Sequence, residues 1–377
     1  MQRVWNNKAA TALVLGVALV LAGCSSSPSK PQPTALPAVS GSLAVSKAWT
    51  ARLGEITSPL QATVLGNRVI LASSQGLLAE LDAETGREVW RLSLNAALVA
   101  GVGSDGKRHA VVTADNILRV VESGREIWRQ RLNAQTFTAP LVAGERVFVQ
   151  TADRTVNAYD GASGQRLWTL PRNADPLVLR QAGVLTAVGD TLLAGNGGRL
   201  SAIQPLTGQL RWDVLLGSSR GTNEVERLVD LVAGVSRQGA NLCVRAFQTA
   251  VGCVDTARGQ VLWTRPSAGH QGLDGDEARV YGVESDSKLR AWNRADGQLL
   301  WSEESYRFRG LTAPRVWGQA LALGDEQGAL HLLSRDQGKT LQRLGTDGTP
   351  VAMQPVLAGQ TLVTVNRSGL VTGWRLD

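Results

Sequence analysis

The sequence is poor in the side chains that most often carry out catalysis and metal binding. Its 377 residues include only three His and three Cys, namely His109, His270, His331, Cys24, Cys243 and Cys253. A structural zinc site needs about four closely grouped ligands, and these residues are scattered along the chain. We therefore expect neither a metal site nor a bound cofactor, and the composition favours a binding protein over an enzyme.

Long apolar runs are also scarce. One run, from Ala9 to Leu21, has 13 residues, fewer than the about 20 that a membrane-spanning helix needs. Its position after Arg3 and Lys8 is typical of a secretory signal, and it leads into the sequence Leu-Ala-Gly-Cys, which resembles the bacterial lipobox. We predict a signal peptide over residues 1–23, removed by cleavage, and lipid attachment to the Cys24 thiol.

The segment after the signal lacks the pattern of a folded domain. Residues 24–41 are rich in Ser and Pro, and we predict a flexible lipid-anchored tether that leads to a domain over residues 42–377. By resemblance to bacterial sorting signals, Ser25 rather than Asp indicates the outer membrane, with the domain facing the periplasm. The formal net charge of +7 is modest. Because no interleaved aromatic and basic residues accompany it, we expect no nucleic acid partner, and membrane contact through the lipid only.

Aromatic residues are few apart from Trp, with 11 Trp against 4 Phe and 3 Tyr, and a repeat explains this excess. A Gly precedes a Trp by four positions in six segments, whose Gly residues are Gly86, Gly124, Gly164, Gly208, Gly259 and Gly297. A seventh copy has Gly338 followed by Gln342, and Trp49 marks an eighth position without the Gly. The Gly-to-Gly spacings of 38 to 51 residues indicate a repeat architecture.

Each period predicts four short strands. In the first, β-rich runs lie at about residues 61–65, 69–73, 77–81 and 88–92, with turn residues between them, as in a β-propeller blade. The leftover ends, 42–53 and 361–376, together complete one more blade. We predict an all-β fold, an eight-bladed β-propeller with four antiparallel strands per blade, whose ring is closed by the N- and C-terminal strands so that no open sheet edge remains.

The repeat also assigns structural roles to its most regular residues. A large flat Trp at a fixed position fills the wedge between neighbouring blades. The Asp or Asn before each Gly is expected to bond turn backbone groups rather than to act in catalysis, as at Asp82, Asp160, Asp255 and Asn293.

The two cysteines outside the signal lie in one predicted hairpin. Cys243 and Cys253 are equidistant from its centre at Gln248-Thr249, so they should face each other on neighbouring strands. An oxidising compartment favours a disulfide between them, and a free buried pair is the alternative.

The repeat is interrupted twice. The distance along the sequence from a Trp to the next long apolar strand is about 20 residues in ordinary blades. It is 24 residues after Trp168 and 30 residues after Trp212. Both extra segments come from the same part of adjacent blades, so they should lie side by side on one rim of the ring. Tolerated loop insertions and a protein-binding patch both remain open from this adjacency alone.

The blades resemble those of pyrroloquinoline-quinone (PQQ) dehydrogenases. Two segments within the inserts distinguish this chain from those enzymes, namely Leu177-x-Leu179-Arg180 and Glu226-Arg227-Leu228-x-Asp230. With these inserts, an eight-bladed lipoprotein of this length is more similar to the BamB family of lipoproteins in the outer-membrane β-barrel assembly (BAM) machinery. This resemblance implies a non-enzymatic scaffold that binds the periplasmic (POTRA) domains of BamA, the central barrel subunit, and aids the folding and insertion of outer-membrane proteins. The implied contact residues are Leu177, Leu179, Arg180 and Asp230.

The same resemblance implies indirect contact with other BAM subunits, with unfolded outer-membrane proteins as a further candidate partner. The sequence departs from the family pattern at Val232, where a second acidic residue often stands. The alternative function is that of a PQQ-dependent periplasmic dehydrogenase. Such enzymes hold the quinone against a disulfide of adjacent cysteines beside a Ca²⁺ ion, and this chain has no two adjacent Cys.

Overall fold

The computed structural model describes residues 31–41, 43–58, 60–172, 178–218 and 228–377. Within these ranges the regular secondary structure is β-strand throughout, as predicted. The same ranges contain no helix of the length and apolar character needed to cross a bilayer. The predicted signal peptide and Cys24 lie outside the described residues.

The described residues form 32 strands, most of them three to eight residues long. In chain order these are β1 (Val45–Arg52), β2 (Thr63–Leu65), β3 (Arg68–Ala72), β4 (Leu77–Asp82), β5 (Glu88–Ser93), β6 (Gly103–Ser104), β7 (Arg108–Val112), β8 (Ile117–Glu122), β9 (Arg125–Arg131), β10 (Leu141–Ala143), β11 (Arg146–Gln150), β12 (Val156–Asp160), β13 (Arg166–Leu170), β14 (Leu185–Val188), β15 (Thr191–Asn196) and β16 (Arg199–Ile203). The second half comprises β17 (Leu210–Leu215), β18 (Leu231–Gln238), β19 (Asn241–Ala246), β20 (Ala250–Asp255), β21 (Gln260–Pro266), β22 (Leu273–Gly275), β23 (Arg279–Val283), β24 (Leu289–Asn293), β25 (Leu299–Glu303), β26 (Arg315–Trp317), β27 (Ala320–Gly324), β28 (Ala329–Ser334), β29 (Thr340–Gly345), β30 (Val356–Ala358), β31 (Thr361–Val365) and β32 (Leu370–Leu376).

These strands form eight antiparallel four-stranded sheets, the blades of the propeller. Blades 1 to 7 each use four consecutive strands, beginning with β2 to β5, and the first strands of neighbouring blades contact one another around the centre. Blade 8 has the order β30-β31-β32-β1, with Val45 of β1 opposite Leu376 of β32. The predicted eight-bladed ring, closed by both termini, is therefore confirmed.

Burial follows from the stacking of blades. The second strand of a blade is covered on both faces by its neighbours, and all five residues of β7 are buried. The fourth strand lies at the periphery and is half exposed, with exposed and half-buried positions mixed along β5. Near-continuous apolar runs therefore mark the inner strands, and mixed runs mark the outer ones.

Each Trp of the repeat packs on the next blade. Trp128 of blade 2 donates its Nε1–H to the Gly161 carbonyl of blade 3 over 2.9 Å. Its ring lies on Gly164, where a Cβ atom would come within 2.6 Å of the indole. The same Trp-on-Gly contact joins the pairs Trp49/Gly86, Trp168/Gly208, Trp212/Gly259, Trp263/Gly297 and Trp301/Gly338. The Gly and the Trp of one motif thus belong to two different inter-blade joints.

A β-bulge precedes each of these Trp residues. In blade 1, Glu80 pairs with Trp90 and Leu81 pairs with Glu88, so Val89 is left without a partner. The extra residue bends the strand and changes the direction of the side chain that follows it. The extra residue itself faces solvent. This accounts for several exposed apolar side chains that directly precede a Trp, namely Val89, Ile127, Leu167, Leu262 and Leu300.

The carboxylates before the Gly residues serve the turns, as predicted. Asp82 Oδ1 accepts hydrogen bonds from the Thr85 hydroxyl and backbone N–H, over 2.8 and 2.9 Å. Asp160 accepts the corresponding pair from Ser163. These hydrogen bonds lower the pKa of both carboxyl groups from the usual value for Asp, so the charged form is the one that holds the turn.

Cys243 and Cys253 are register partners on β19 and β20, fully buried, and the structure joins them by a disulfide. The hairpin between them turns at Gln248, which has a φ of 48°. The bond crosslinks residues ten positions apart inside blade 5.

We predict that the isolated protein contains this disulfide. Closing a loop of that length is worth about 2–3 kcal/mol in the chain-entropy model, so Cys253→Ser should lower the free energy of unfolding by that amount. Denatured but unreduced protein should show no thiol at Cys243 or Cys253, and the same sample should show two after reduction. Labelling of both thiols without reductant would contradict the prediction.

The propeller unit begins earlier in the chain than the sequence predicts. From Thr34 the chain lies along blades 6 and 7. The Thr34 N–H donates to the Arg307 carbonyl and the Ser40 N–H donates to the Thr340 carbonyl, each over 3.0 Å, while Leu36 packs against the buried core of these blades. The predicted tether over residues 24–41 therefore overlaps with a docked segment, because residues 34–41 have backbone partners and an apolar anchor.

Candidate functional site

The two inserts occupy the longest connections between consecutive blades. The first insert, residues 171–184, links β13 of blade 3 to β14 of blade 4, and the second insert, residues 216–230, links β17 of blade 4 to β18 of blade 5. Connections from a fourth strand to the next first strand all emerge on one face of a propeller, together with the turns between second and third strands. The inserts are thus neighbours on the same rim.

The described parts of the inserts are joined to each other. Gly183 near the end of the first insert forms an antiparallel bridge with Val232, the second residue of β18 after the second insert. Beside this bridge, the Ala233 N–H donates to the Ala182 carbonyl over 2.9 Å. The side-by-side arrangement expected from the repeat spacing is present, and Val232 is buried within it.

Asp230 is engaged inside the protein. Its Oδ1 forms an ion pair with Arg154, which lies on the turn between β11 and β12 of blade 3. Its Oδ2 accepts the backbone N–H of Leu179 over 3.1 Å. The resemblance implies Asp230 as a residue that contacts the partner. The structure instead pairs it with an arginine from blade 3, because the turn of that blade reaches the start of β18.

Leu179 and Arg180 differ in exposure. Arg180 is exposed on the rim, whereas Leu179 is half-buried and lines a small cleft of about 50 Å³ with Phe137 and Leu231. Leu177, the third predicted contact residue of this segment, lies outside the described residues. Leu179 and Arg180 therefore present a guanidinium group beside a partly covered apolar side chain.

Arg154 is the residue of this site that sequence reasoning missed. It lies 76 positions from Asp230, and no local pattern connects the two. One signal was available in retrospect, because Arg154 occupies the fourth position of a repeated turn in which Gly76, Gly328 and Gly369 stand in other blades.

The described residues of the central channel bear on the dehydrogenase alternative. It widens to about 490 Å³ beside Gln61, Gln181 and Gln354. Among the residues the structure describes, no three His, Cys, Asp or Glu side chains come together as metal ligands would. The disulfide of Cys243 and Cys253 is buried between two strands of blade 5 and joins residues ten positions apart, unlike the disulfide of adjacent cysteines that the dehydrogenase resemblance implies.

The fold and the paired inserts define the class of this protein, an eight-bladed β-propeller of PQQ-type repeats with an elaborated rim on blades 3 to 5. The chain belongs to the family of the outer membrane protein assembly factor BamB, whose family model matches residues 2–121, 74–303 and 275–377. A relative of that name from Burkholderia pseudomallei is 35% identical over 95% of this chain and 95% of its own length.

Solved structures agree on the fold. The crystal structure of BamB from Moraxella catarrhalis is similar with a TM-score of 0.80 and 24% identity, over 88% of this chain and all of that one. A quinohemoprotein alcohol dehydrogenase from Comamonas testosteroni is similar with a TM-score of 0.68 and 13% identity, over 88% of this chain and 76% of that one. The chain thus matches the assembly-factor propeller better than the dehydrogenase propeller.

Proposed function

We propose that this chain is a lipid-anchored, non-enzymatic scaffold subunit of the machinery that assembles outer-membrane proteins, facing the periplasm from the outer membrane. Its direct partner is the set of periplasmic (POTRA) domains of BamA, and it contacts other subunits of the complex through BamA. Unfolded outer-membrane proteins are a further candidate partner.

Family membership carries the assembly role, and one observation supports the rim as the binding surface. The described ends of both inserts converge on Asp230, which ties the first insert at Leu179 to the second. An insert held in this way presents neighbouring side chains in a fixed direction, which lowers the conformational entropy lost on binding. Arg180 then meets a carboxylate or carbonyl group of the partner, for which its planar donor fork is suited.

Co-purification tests this proposal most directly. The full-length lipoprotein, extracted in mild detergent from its own membranes, should retain BamA, and the purified propeller should bind the purified periplasmic domains of BamA. Addition of PQQ and Ca²⁺ should produce neither the absorbance of a bound quinone nor oxidation of alcohols by a dye-linked assay. Quinone-dependent turnover without BamA binding would overturn the proposal.

The anchor gives a separate prediction. In Cys24→Ser the thiol that accepts the lipid is absent, so the protein should fractionate as soluble or unprocessed material instead of with the outer membrane. Ser25→Ala serves as the matched control, since it changes the neighbouring residue and keeps the thiol. If Cys24→Ser still fractionates with the outer membrane in full amount, the lipobox assignment is wrong.

A further inference from the structure

Arg154 occupies a turn position that favours residues without a long side chain. In six blades the turn between the second and third strands carries the same hydrogen bond, from the N–H of its fourth residue to the carbonyl of its first, 3.0 Å long from Arg154 to Thr151. The fourth residue has a positive φ in each of these turns, and its other occupants are Gly76, Asn116, Ser287, Gly328 and Gly369.

Placing an arginine there has an energetic cost. Arg154 has a φ of 65°, and a non-glycine residue in this left-handed region is disfavoured by about 1–2 kcal/mol. Strained residues of this kind persist where the surrounding structure holds them, and they concentrate at functional sites. The reason for an arginine at this position is therefore to be sought in what its side chain reaches.

The side chain of Arg154 reaches both inserts through one carboxylate. From blade 3 it extends to Asp230 of the second insert and forms the ion pair with it. Asp230 in turn accepts the N–H of Leu179 in the first insert. The two charged side chains are only 8% and 13% exposed. Without Arg154 the Asp230 carboxylate lacks this cation, and at the rim it can turn toward water and release the Leu179 N–H.

We propose that Arg154 is a positioning residue for the partner-binding rim. It holds the Asp230 carboxylate against the backbone at Leu179 and so sets the direction in which Leu179 and Arg180 meet the partner. This inference rests on the proposed function, and it assigns Asp230 an internal role rather than a direct contact with the partner.

The decisive variant is Arg154→Gly, because glycine suits the backbone of this turn. We expect its midpoint of thermal unfolding to stay within a few degrees of wild type, while the Kd for the purified periplasmic domains of BamA rises about tenfold or more. Asn116→Gly is the matched control: it makes the same backbone change at the equivalent position of blade 2, where φ is 63°, and should leave the Kd unchanged.

Two further measurements separate positioning from a general structural role. In Arg154→Gly, hydrogen exchange of the Leu179 amide should become faster, while exchange in the strands of blade 3 stays as in wild type. Adding Asp230→Asn to Arg154→Gly should recover part of the lost affinity, because the amide oxygen still accepts the Leu179 N–H and the unpaired buried charge is removed.

Wild-type affinity in Arg154→Gly would overturn the positioning role, as would an affinity loss that only parallels global unfolding. Leu179→Ala and Arg180→Ala belong in the same titration. If they weaken binding and Arg154→Gly does not, the positioning role alone fails. If none of the three weakens binding, the rim is not the contact surface and the proposed function loses its site.

Discussion

Trp128→Ala should lower the free energy of unfolding by about 3–5 kcal/mol, as expected for removal of a large buried aromatic side chain. Trp128 is 8% exposed, packs on Gly164 of the next blade and donates to the Gly161 carbonyl. The variant loses this wedge between blades 2 and 3 and leaves a buried carbonyl without its donor. Chemical denaturation followed by far-ultraviolet circular dichroism measures the loss.

A pair of glycine variants tests the reason for this loss. Gly164 and Gly124 have nearly the same φ, 74° and 72°, but a Cβ atom at Gly164 would meet the Trp128 ring whereas one at Gly124 meets nothing within 4 Å. Gly164→Ala should therefore cost about 1–3 kcal/mol more than Gly124→Ala. Equal losses would show that backbone strain, and not the Trp contact, explains the glycine of the repeat.

Leu177→Ala, Leu179→Ala and Arg180→Ala should each weaken binding of the BamA periplasmic domains by about 1–4 kcal/mol, the range typical of central interface residues. Arg180 is exposed and has no core to stabilise, so its loss should leave thermal stability nearly unchanged. Titration by biolayer interferometry, with unfolding midpoints measured in parallel, distinguishes lost contact from lost fold.

Leu206→Ala is the matched control for this series. Leu206 is 59% exposed and lies on the turn between β16 and β17 of blade 4, on the rim opposite the inserts. Its truncation removes the same apolar surface and should not change the affinity. If Leu206→Ala weakens binding while the rim variants keep full affinity, the partner contacts the other face of the ring.

Asp230→Ala should behave differently from the other rim variants. As a contact residue alone, which is the role that the resemblance implies, it would weaken binding without changing stability. Because its carboxylate holds Arg154 and the Leu179 N–H, the variant should lose both affinity and stability, since a largely buried ion pair and a hydrogen bond between the inserts are removed.

The sequence by itself determined the architecture. The Gly and Trp spacing predicts the number of blades, and the leftover Trp49 strand predicts closure with β32, because repeated local chemistry specifies a repeated unit that must stack on copies of itself. The facing of Cys243 and Cys253 and the adjacency of the two inserts were equally predictable, since hairpin register and repeat position are properties of nearby sequence.

Only the tertiary structure decided which distant residues meet. It pairs six of the seven repeat glycines with the Trp of the preceding blade, Gly124 being the exception. It also docks Thr34 to Ser40 on blades 6 and 7, and joins Arg154 to Asp230 across 76 positions. None of these contacts leaves a local pattern, because each depends on how the ring brings one blade against another. The repeat in the sequence specifies the strands of each blade. Closure of the ring determines which residues of neighbouring blades contact one another, both between the blades and along the rim.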